Sequence, residues 1–419
     1  VTGFKSSYRR AQPFFVWGLA AFFFLMVFLI RVNLGVILLN LAGRVQGPVV
    51  LGGLSAVFYY AYFLMQLPAG ILVDRYGPYH WLVVSSLLCG LACFSFALFE
   101  GVASAILSQF VIGLFGAFAF IATIRLSITW FSRRALPLLI GLAHCFALGG
   151  GIIGKAGISH YFSAAHWQDT LLWIGLVLVL LSFLIMLFVR DRKPTLLSAR
   201  DIGFNQVPIM DAVMIVLRNP YSWAVSLYVA LMYAPIAILC EFWGSAFLHW
   251  VYQVPFAAAR ELTVLILLGL LLGSLCFPVG VMLFKQRRFW LIGSALSSLL
   301  LLLIILYCPL STLALRGLLF CFGFAAGGIN VAYLVAVELN AFAVSGIAIA
   351  VVNMMSLLVL VLMQPLVAWL VTRYMHWHLS QVALDSPLLH QSALIGLPIA
   401  LCLALLLSLL IKETGDVKA

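Results

Sequence analysis

The chain has 419 residues, of which 65% are hydrophobic and 8% charged, with a formal net charge of +11. Soluble globular domains carry about 25% charged residues, so this composition excludes a soluble fold and points to an integral membrane protein. Lysine and arginine alternate between inter-helix segments instead of forming one basic patch, so the positive balance makes no case for a nucleic-acid partner.

Apolar runs long enough to cross a bilayer recur from end to end. Twelve spans are predicted: 14–40, 50–73, 80–99, 102–130, 135–160, 169–189, 221–248, 260–283, 289–308, 311–338, 342–372 and 392–411. The first is too long for a signal peptide and lacks a clear cleavage site, so it reads as a retained helix. Basic residues collect at Lys5, Arg9 and Arg10, at Arg75, at Arg133 and Arg134, from Arg190 to Arg218, at Lys285, Arg287 and Arg288, and at Lys412 and Lys418. The intervening loops hold chiefly Arg44, Arg260 and Arg373. That alternation predicts cytoplasmic termini, in the inner membrane if the source is bacterial. The expected organisation is an N-terminal six-helix bundle over 1–190, a linker over 191–219 and a C-terminal six-helix bundle over 220–419. Within the linker, Pro208 to Arg218 has the pattern of an amphipathic helix lying on the membrane surface. All eight cysteines fall in apolar runs without a Cys-x-x-Cys pair and read as small buried residues.

Comparing residue n with residue n+210 reveals a repeat. Pro68 meets Pro278, Gly70 meets Gly280, Arg75 meets Lys285, and Gly113 meets Gly323. Arg31 meets Glu241, and Gly154-Lys155 meets Gln364-Pro365. Two six-helix halves with a site between them at mid-membrane are a known transporter plan. The second copy is imperfect, because Phe284 stands where the first half has Asp74. Any role that needs that carboxylate is therefore expected in the first half alone.

The stretch Gly70-x-x-x-Asp74-Arg75-x-Gly77 resembles the loop 2–3 signature of the major facilitator superfamily. Gln66-Leu-Pro-Ala-Gly70 and Asp74-Arg-Tyr-Gly-Pro78 are most similar to its organic-anion branches. Trp130-Phe-Ser-Arg-Arg134, Gly141 and Gly149-Gly-Gly-x-x-Gly154 resemble its loop 4–5 and fifth helix. The Gly-Pro-x-x-Gly-Gly signature of drug antiporters is absent, and Gln109 replaces the family's helix 4 arginine, with Arg316 in the matching helix of the second half. Gly323, Gly327, Gly328, Glu338, Asn340, Gly346, Asn353, Gln364 and Pro365 follow a spacing common in the family. The resemblance implies an all-α membrane protein with twelve transmembrane helices in two pseudo-symmetric bundles, working by alternating access without a cofactor or bound metal.

Ionisable groups inside spans need a reason, since a charge at a helix centre costs about 2.5–3.5 kcal/mol on insertion scales. Arg31 lies roughly 25 Å along the first span, past the midplane. Its run, Arg31-Val-Asn33, resembles the Arg-x-Asn of organophosphate and organic-anion members, which implies a cavity-facing guanidinium that forks onto an anionic group. The alternative is an arginine that snorkels outward or pairs structurally with an acid. Three roles are open to Glu241: proton coupling, binding a substrate cation, or neutralising Arg31. Lys155, among glycines, points to the cavity or snorkels. His144 is a second proton-coupling candidate or a hydrogen-bonded packing residue. Tyr59, Tyr62 and Gln66 recur on one helix face, and Tyr233, Trp243 and Asn353 are further lining candidates. Arg125, near the end of its span, reads as an interface anchor or a gate contact.

Asp74 is a gating residue by resemblance. The family places this acid near a helix N-terminus and a basic neighbour, for which Arg133 or Arg134 is the expected partner. Gly70, Arg75, Gly77 and Glu338 complete the expected gating set. The resulting expectation is a monomeric, proton-coupled secondary transporter of a small organic anion: a carboxylate, an organophosphate or a carboxylate-type metal chelate. A zwitterion held between Arg31 and Glu241 is the alternative, ahead of multidrug efflux or a non-transporting sensor. No P-loop and no zinc-spaced His/Cys cluster speak for an enzyme.

Overall fold

The computed structural model describes residues 2–41, 48–99, 101–157, 167–191, 208–377 and 387–414. Every regular element among them is helical, and twelve helical spans are long and apolar enough to cross a membrane. The chain is a multi-pass membrane protein.

It packs as two compact units. The first comprises residues 1–216 with 340–351, and the second 217–339 with 352–419. The first unit holds α1 (Thr2–Leu41), α2 (Pro48–Tyr76), α3 (Pro78–Leu98), α4 (Val102–Gly116), α5 (Phe118–Trp130), α6 (Leu136–Ile152) and α7 (Trp167–Phe188). A short helix, α8 (Ile209–Leu217), lies within the 191–219 segment, where the amphipathic pattern falls. The second unit holds α9 (Pro220–Ala237), α10 (Gly244–Tyr252), α11 (Phe256–Phe284), α12 (Arg287–Tyr307), α13 (Thr312–Ala325) and α14 (Ile329–Glu338). It also holds most of α15 (Ser345–Trp377), then α16 (Pro387–Ala393) and α17 (Gly396–Leu410).

Local chemistry sets the boundaries. Gly77, at φ 83°, turns the chain out of α2, and Pro78 opens α3 at a position whose N–H would have no helical partner anyway. Asn219 caps α9 by accepting from the Tyr221 N–H at 3.1 Å, again with proline next in line. The fourth span breaks between α4 and α5 at Ala117, and the tenth breaks at the 3₁₀ turn Ala326–Gly328. The 210-residue register pairs Gly116 with Ala326, so the repeat extends to the helix breaks.

Close packing repeats as well. In the first unit α2 lies on α4, and in the second α11 lies on α13. A Cβ on Gly113 would come within 2.5 Å of the Phe58 carbonyl oxygen, and one on Gly323 would strike the Ile266 backbone. Small residues that let backbones approach are the usual means of helix association in lipid, where burial drives little. The third span packs on the sixth in both units, α3 on α7 and α12 on α17. Gly90 and Gly175 face each other there, each leaving the other's backbone no room for a side chain. The cysteines are more varied than expected. Cys89, Cys93 and Cys240 are buried, but Cys276, Cys308, Cys321 and Cys402 are exposed. A weakly polar thiol is as acceptable to lipid as to protein, so an apolar run does not separate the two fates.

Gly113→Val forces a side chain into the α2 backbone and is expected to destabilise the protein by about 1–3 kcal/mol. Gly149 has nothing within 4 Å of its Cβ position. Gly149→Ala should therefore match or exceed wild-type stability, and thermal unfolding in detergent compares the two.

Candidate functional site

Arg31 sits half-buried on the first span, and α2 supplies its partners. Its Nε donates to the Tyr59 hydroxyl at 3.3 Å, and its guanidinium carbon lies 5.1 Å from the ring centroids of both Tyr59 and Phe28. A guanidinium between aromatic faces is held by the ring quadrupoles. One turn along α2 comes Tyr62, and a further turn on Gln66, both buried. Arg31 and Tyr59 are thus bonded to each other, while the Gln66 amide further along α2 is buried with no hydrogen-bond partner among the described residues. The side chain of Asn33 lies outside the described residues.

α6 packs on α1 at Gly150, where any side chain would strike the Leu25–Leu29 backbone. Beyond it the helix widens into a π-turn, Ile153–Gly157, which carries the half-buried Lys155 and also packs against α1. Lys155 is thus carried on a turn packed against the helix of Arg31. His144, three turns earlier, donates from Nδ1 to the Ile140 carbonyl at 3.2 Å and packs edge-on to Phe120 and Phe24.

A second π-turn, Ile238–Phe242, separates α9 from α10 and contains Glu241. The Glu241 side chain lies outside the described residues. Trp243 ends this turn, its N–H bonded to the Ile238 carbonyl at 2.8 Å, and Tyr233 is half-buried on α9. Asn353 on α15 accepts from the Tyr333 hydroxyl of α14 at 2.5 Å.

The expected gate forms a tight cluster around Asp74. Its side chain is 6% exposed and that of Arg125 is 8% exposed, with Arg125 Nη1 3.3 Å from Asp74 Oδ1. Asp74 Oδ1 also accepts from the Gly346 N–H at 3.0 Å, and Oδ2 from the Ile347 N–H at 2.9 Å. These amides open α15, whose aligned peptides place partial positive charge at that end. Arg125 donates further to the Ser345 hydroxyl at 2.9 Å. Glycine is needed at 346, since a Cβ there would sit 2.8 Å from Asp74 Oδ1. Gly70 meets the same helix, with the Gly346 carbonyl oxygen and Ala350 Cβ each 2.8 Å from its Cβ position.

The basic partner is thus Arg125, not Arg133 or Arg134. Those two lie exposed on the 3₁₀ turn after α5, and Arg75 is exposed at the end of α2. An arginine inside the neighbouring span reaches a buried carboxylate, whereas one in the loop keeps its hydration. Next to the cluster, burial pushes the Asp191 carboxyl above its ordinary range, against the pull of the Tyr79 N–H, His80 and Arg125.

The second unit has a clasp of its own, with the signs reversed. Arg287, at the start of α12, places Nη2 3.0 Å from Oε1 of Glu338 at the end of α14, and its Nε donates to Oε2 at 3.3 Å. The Thr414 hydroxyl donates to the same Oε2 at 2.5 Å. Phe284 therefore does not confine carboxylate chemistry to the first half. The acid has moved from the turn to the end of the fourth helix of its unit, and the base from that helix to the turn.

A family model described as Major Facilitator Superfamily matches residues 14–364. The chain belongs to the major facilitator superfamily. The family is one of transporters, not enzymes. The chain is 26% identical over 146 residues to a probable sulfoacetate transporter, SauU, of Cupriavidus necator, a match spanning about a third of each protein (34%). Solved structures of the superfamily resemble it over nearly its whole length. The transporter FucP in the outward conformation gives a TM-score of 0.72 at 15% identity, covering 96% of this chain and 99% of that one. The proton:xylose symporter XylE bound to 6-bromo-6-deoxy-D-glucose gives 0.72 at 13%, covering 97% of each. At these identities the likeness is one of fold.

Removing one member of a buried ion pair costs about 3–5 kcal/mol. The reciprocal exchange Asp74→Arg with Arg125→Asp is expected not to recover that loss. An arginine at 74 has no acceptor for the Gly346 and Ile347 amides. Thermal unfolding of the two single variants and the exchange checks this.

Proposed function

We propose that this superfamily member is a secondary active transporter that carries a small organic anion across the cytoplasmic membrane by alternating access, coupled to protons. The observation that carries the reading is Arg31. A guanidinium deep in an apolar span is oriented by two aromatic faces and a hydroxyl, an arrangement that presents its fork to a planar anionic group. Lys155, on the π-turn packed against the first span, adds a second positive charge. The relative named a probable sulfoacetate transporter is in keeping with a small anionic substrate.

The two π-turns support the choice of residues, because such widened turns concentrate at functional sites. One carries Lys155 and the other Glu241. In this reading Lys155 joins Arg31 on the substrate, and Glu241 is the proton-coupling acid, as would suit a relative in fold of the proton:xylose symporter XylE. His144, with its Nδ1 committed to a carbonyl and its ring among phenylalanines, serves packing. Tyr59, Tyr62 and Gln66 line the substrate path in the first unit, and Tyr233, Trp243 and Asn353 in the second. Asp74 is the gate on the cytoplasmic side, where both termini also lie. Residues 340–351 group with the first unit while the rest of α15 groups with the second. Rearrangement about this point has to release the two amide bonds of Asp74 or carry them along.

A zwitterionic substrate held between Arg31 and Glu241 is the second reading, favoured by the place of Glu241 in a π-turn. Purified protein is expected to gain thermal stability with small carboxylates or organophosphates, by about 2.7 kcal/mol at a hundredfold excess over Kd. Arg31→Ala should lose that gain, and equal stabilisation of the variant would contradict the anion reading. Glu241→Gln is expected to abolish accumulation driven by a proton gradient while leaving anion-induced stabilisation intact. Loss of stabilisation by amino acids alone would favour the zwitterion.

A further inference from the structure

Each unit contains a second carboxylate bond that neither the repeat register nor the gating motif predicts. In the first unit, the N-terminus of α3 lacks a side-chain cap, because its cap residue is Gly77. Pro78 has no N–H, so the first amide needing a partner is that of Tyr79. It is satisfied from 112 residues away: Asp191 Oδ1, three residues past the end of α7, accepts from Tyr79 N at 3.0 Å. Gly77 makes this possible twice over. Its positive φ suits glycine alone, and a Cβ there would lie 2.6 Å from Asp191 Cγ. The same tyrosine answers in the other direction, its hydroxyl donating to the Met186 carbonyl in the last turn of α7 at 3.3 Å.

The second unit repeats the device with other residues. α12 also lacks a side-chain cap of its own. Glu413, three residues past the end of α17, accepts from the Arg287 N–H at 2.9 Å and from the Arg288 N–H at 3.0 Å. The Arg288 guanidinium answers by donating to the Leu409 carbonyl in the last turn of α17. In both units, then, a carboxylate beyond the sixth span binds amides opening the third. The side chain at the second position of that third helix binds a terminal carbonyl of the sixth. The 210-residue register pairs Asp191 with Leu401, so the correspondence lies in the fold and not in aligned sequence.

The position of these bonds gives them a consequence. Gly77 is three residues from Asp74, and Arg287 is itself the base of the second clasp. Thr414, next to Glu413, donates to the clasp acid Glu338. We propose that Asp191 and Glu413 are positioning residues that tie the sixth span of each unit to its charged clasp, so that the clasp holds only while the third and sixth spans keep their register.

The test is amide hydrogen exchange on the full-length protein in lipid nanodiscs, a readout that needs no substrate and stands apart from the transport reading. Asp191→Ala is expected to speed exchange of the Tyr79 amide by about five- to tenfold, the size of a lost helix cap. It should also speed exchange at Gly346 and Ile347, the amides held by Asp74. Asp191→Asn keeps an acceptor oxygen and should recover most of the protection, whereas Asp191→Leu, which fills the space without an acceptor, should not. Glu413→Ala should act on Arg287 and Arg288 and leave Gly346 and Ile347 alone. Tyr79→Phe deletes only the reciprocal bond and carries the test if the alanine variants fail to fold, with faster exchange expected at Gly346 and Ile347. Faster exchange at Tyr79 with none at Gly346 and Ile347 would make Asp191 a local cap and overturn the proposal. Unchanged exchange at every one of these amides would overturn it equally.

Discussion

A carboxylate buried to 6% exposure in a membrane protein dictates much around it. An ionised acid without partners is too costly to bury, so Asp74 must find charge and donors within the protein. It takes one guanidinium, from Arg125, and two amides from the start of α15. Each choice constrains other residues. The amides are reachable only if position 346 is glycine. Gly70 has to be small so that α2 can lie against the same helix end. Ser345 accepts a further hydrogen bond from Arg125.

The second unit solves a related problem with inverted polarity. Arg287 and Glu338 join the same two parts of their unit, the turn between the second and third helices and the end of the fourth. What the two units share is a tie between these parts, with its sign reversed. The clasps differ in one respect with physical weight. Asp74 accepts from the amides of a helix N-terminus, where negative charge is favoured, whereas the described partners of Glu338 are side chains.

The twelve spans were legible because apolar length is a one-dimensional property. The site of Asp74 against a helix start was legible through the motif resemblance. Its partner was not. Arg125 lies in a different span, and nothing in one dimension ranks it above the nearer-looking Arg133 and Arg134. The Gly346 contact left a trace, since a glycine at a helix start hints at close approach, but no sequence feature names what approaches. Arg31 was legible as an anomaly, a charge in the wrong solvent, and Tyr59 as a neighbour on the facing side of α2. The π-turns at Lys155 and Glu241 left no local signal, because widening a helix by one residue needs no special side chain. The fates of the cysteines were hidden for a simpler reason: lipid and protein interior look alike to an apolar run.

The central claim is that Asp74 and Arg125 form one interacting unit. The most direct measurement is a double-mutant cycle with Asp74→Asn and Arg125→Gln, read by equilibrium unfolding in mixed micelles. The two residues are predicted to couple by about 1.5–3 kcal/mol, the upper range for groups in contact. Additive losses, with a coupling under about 0.5 kcal/mol, would contradict the account.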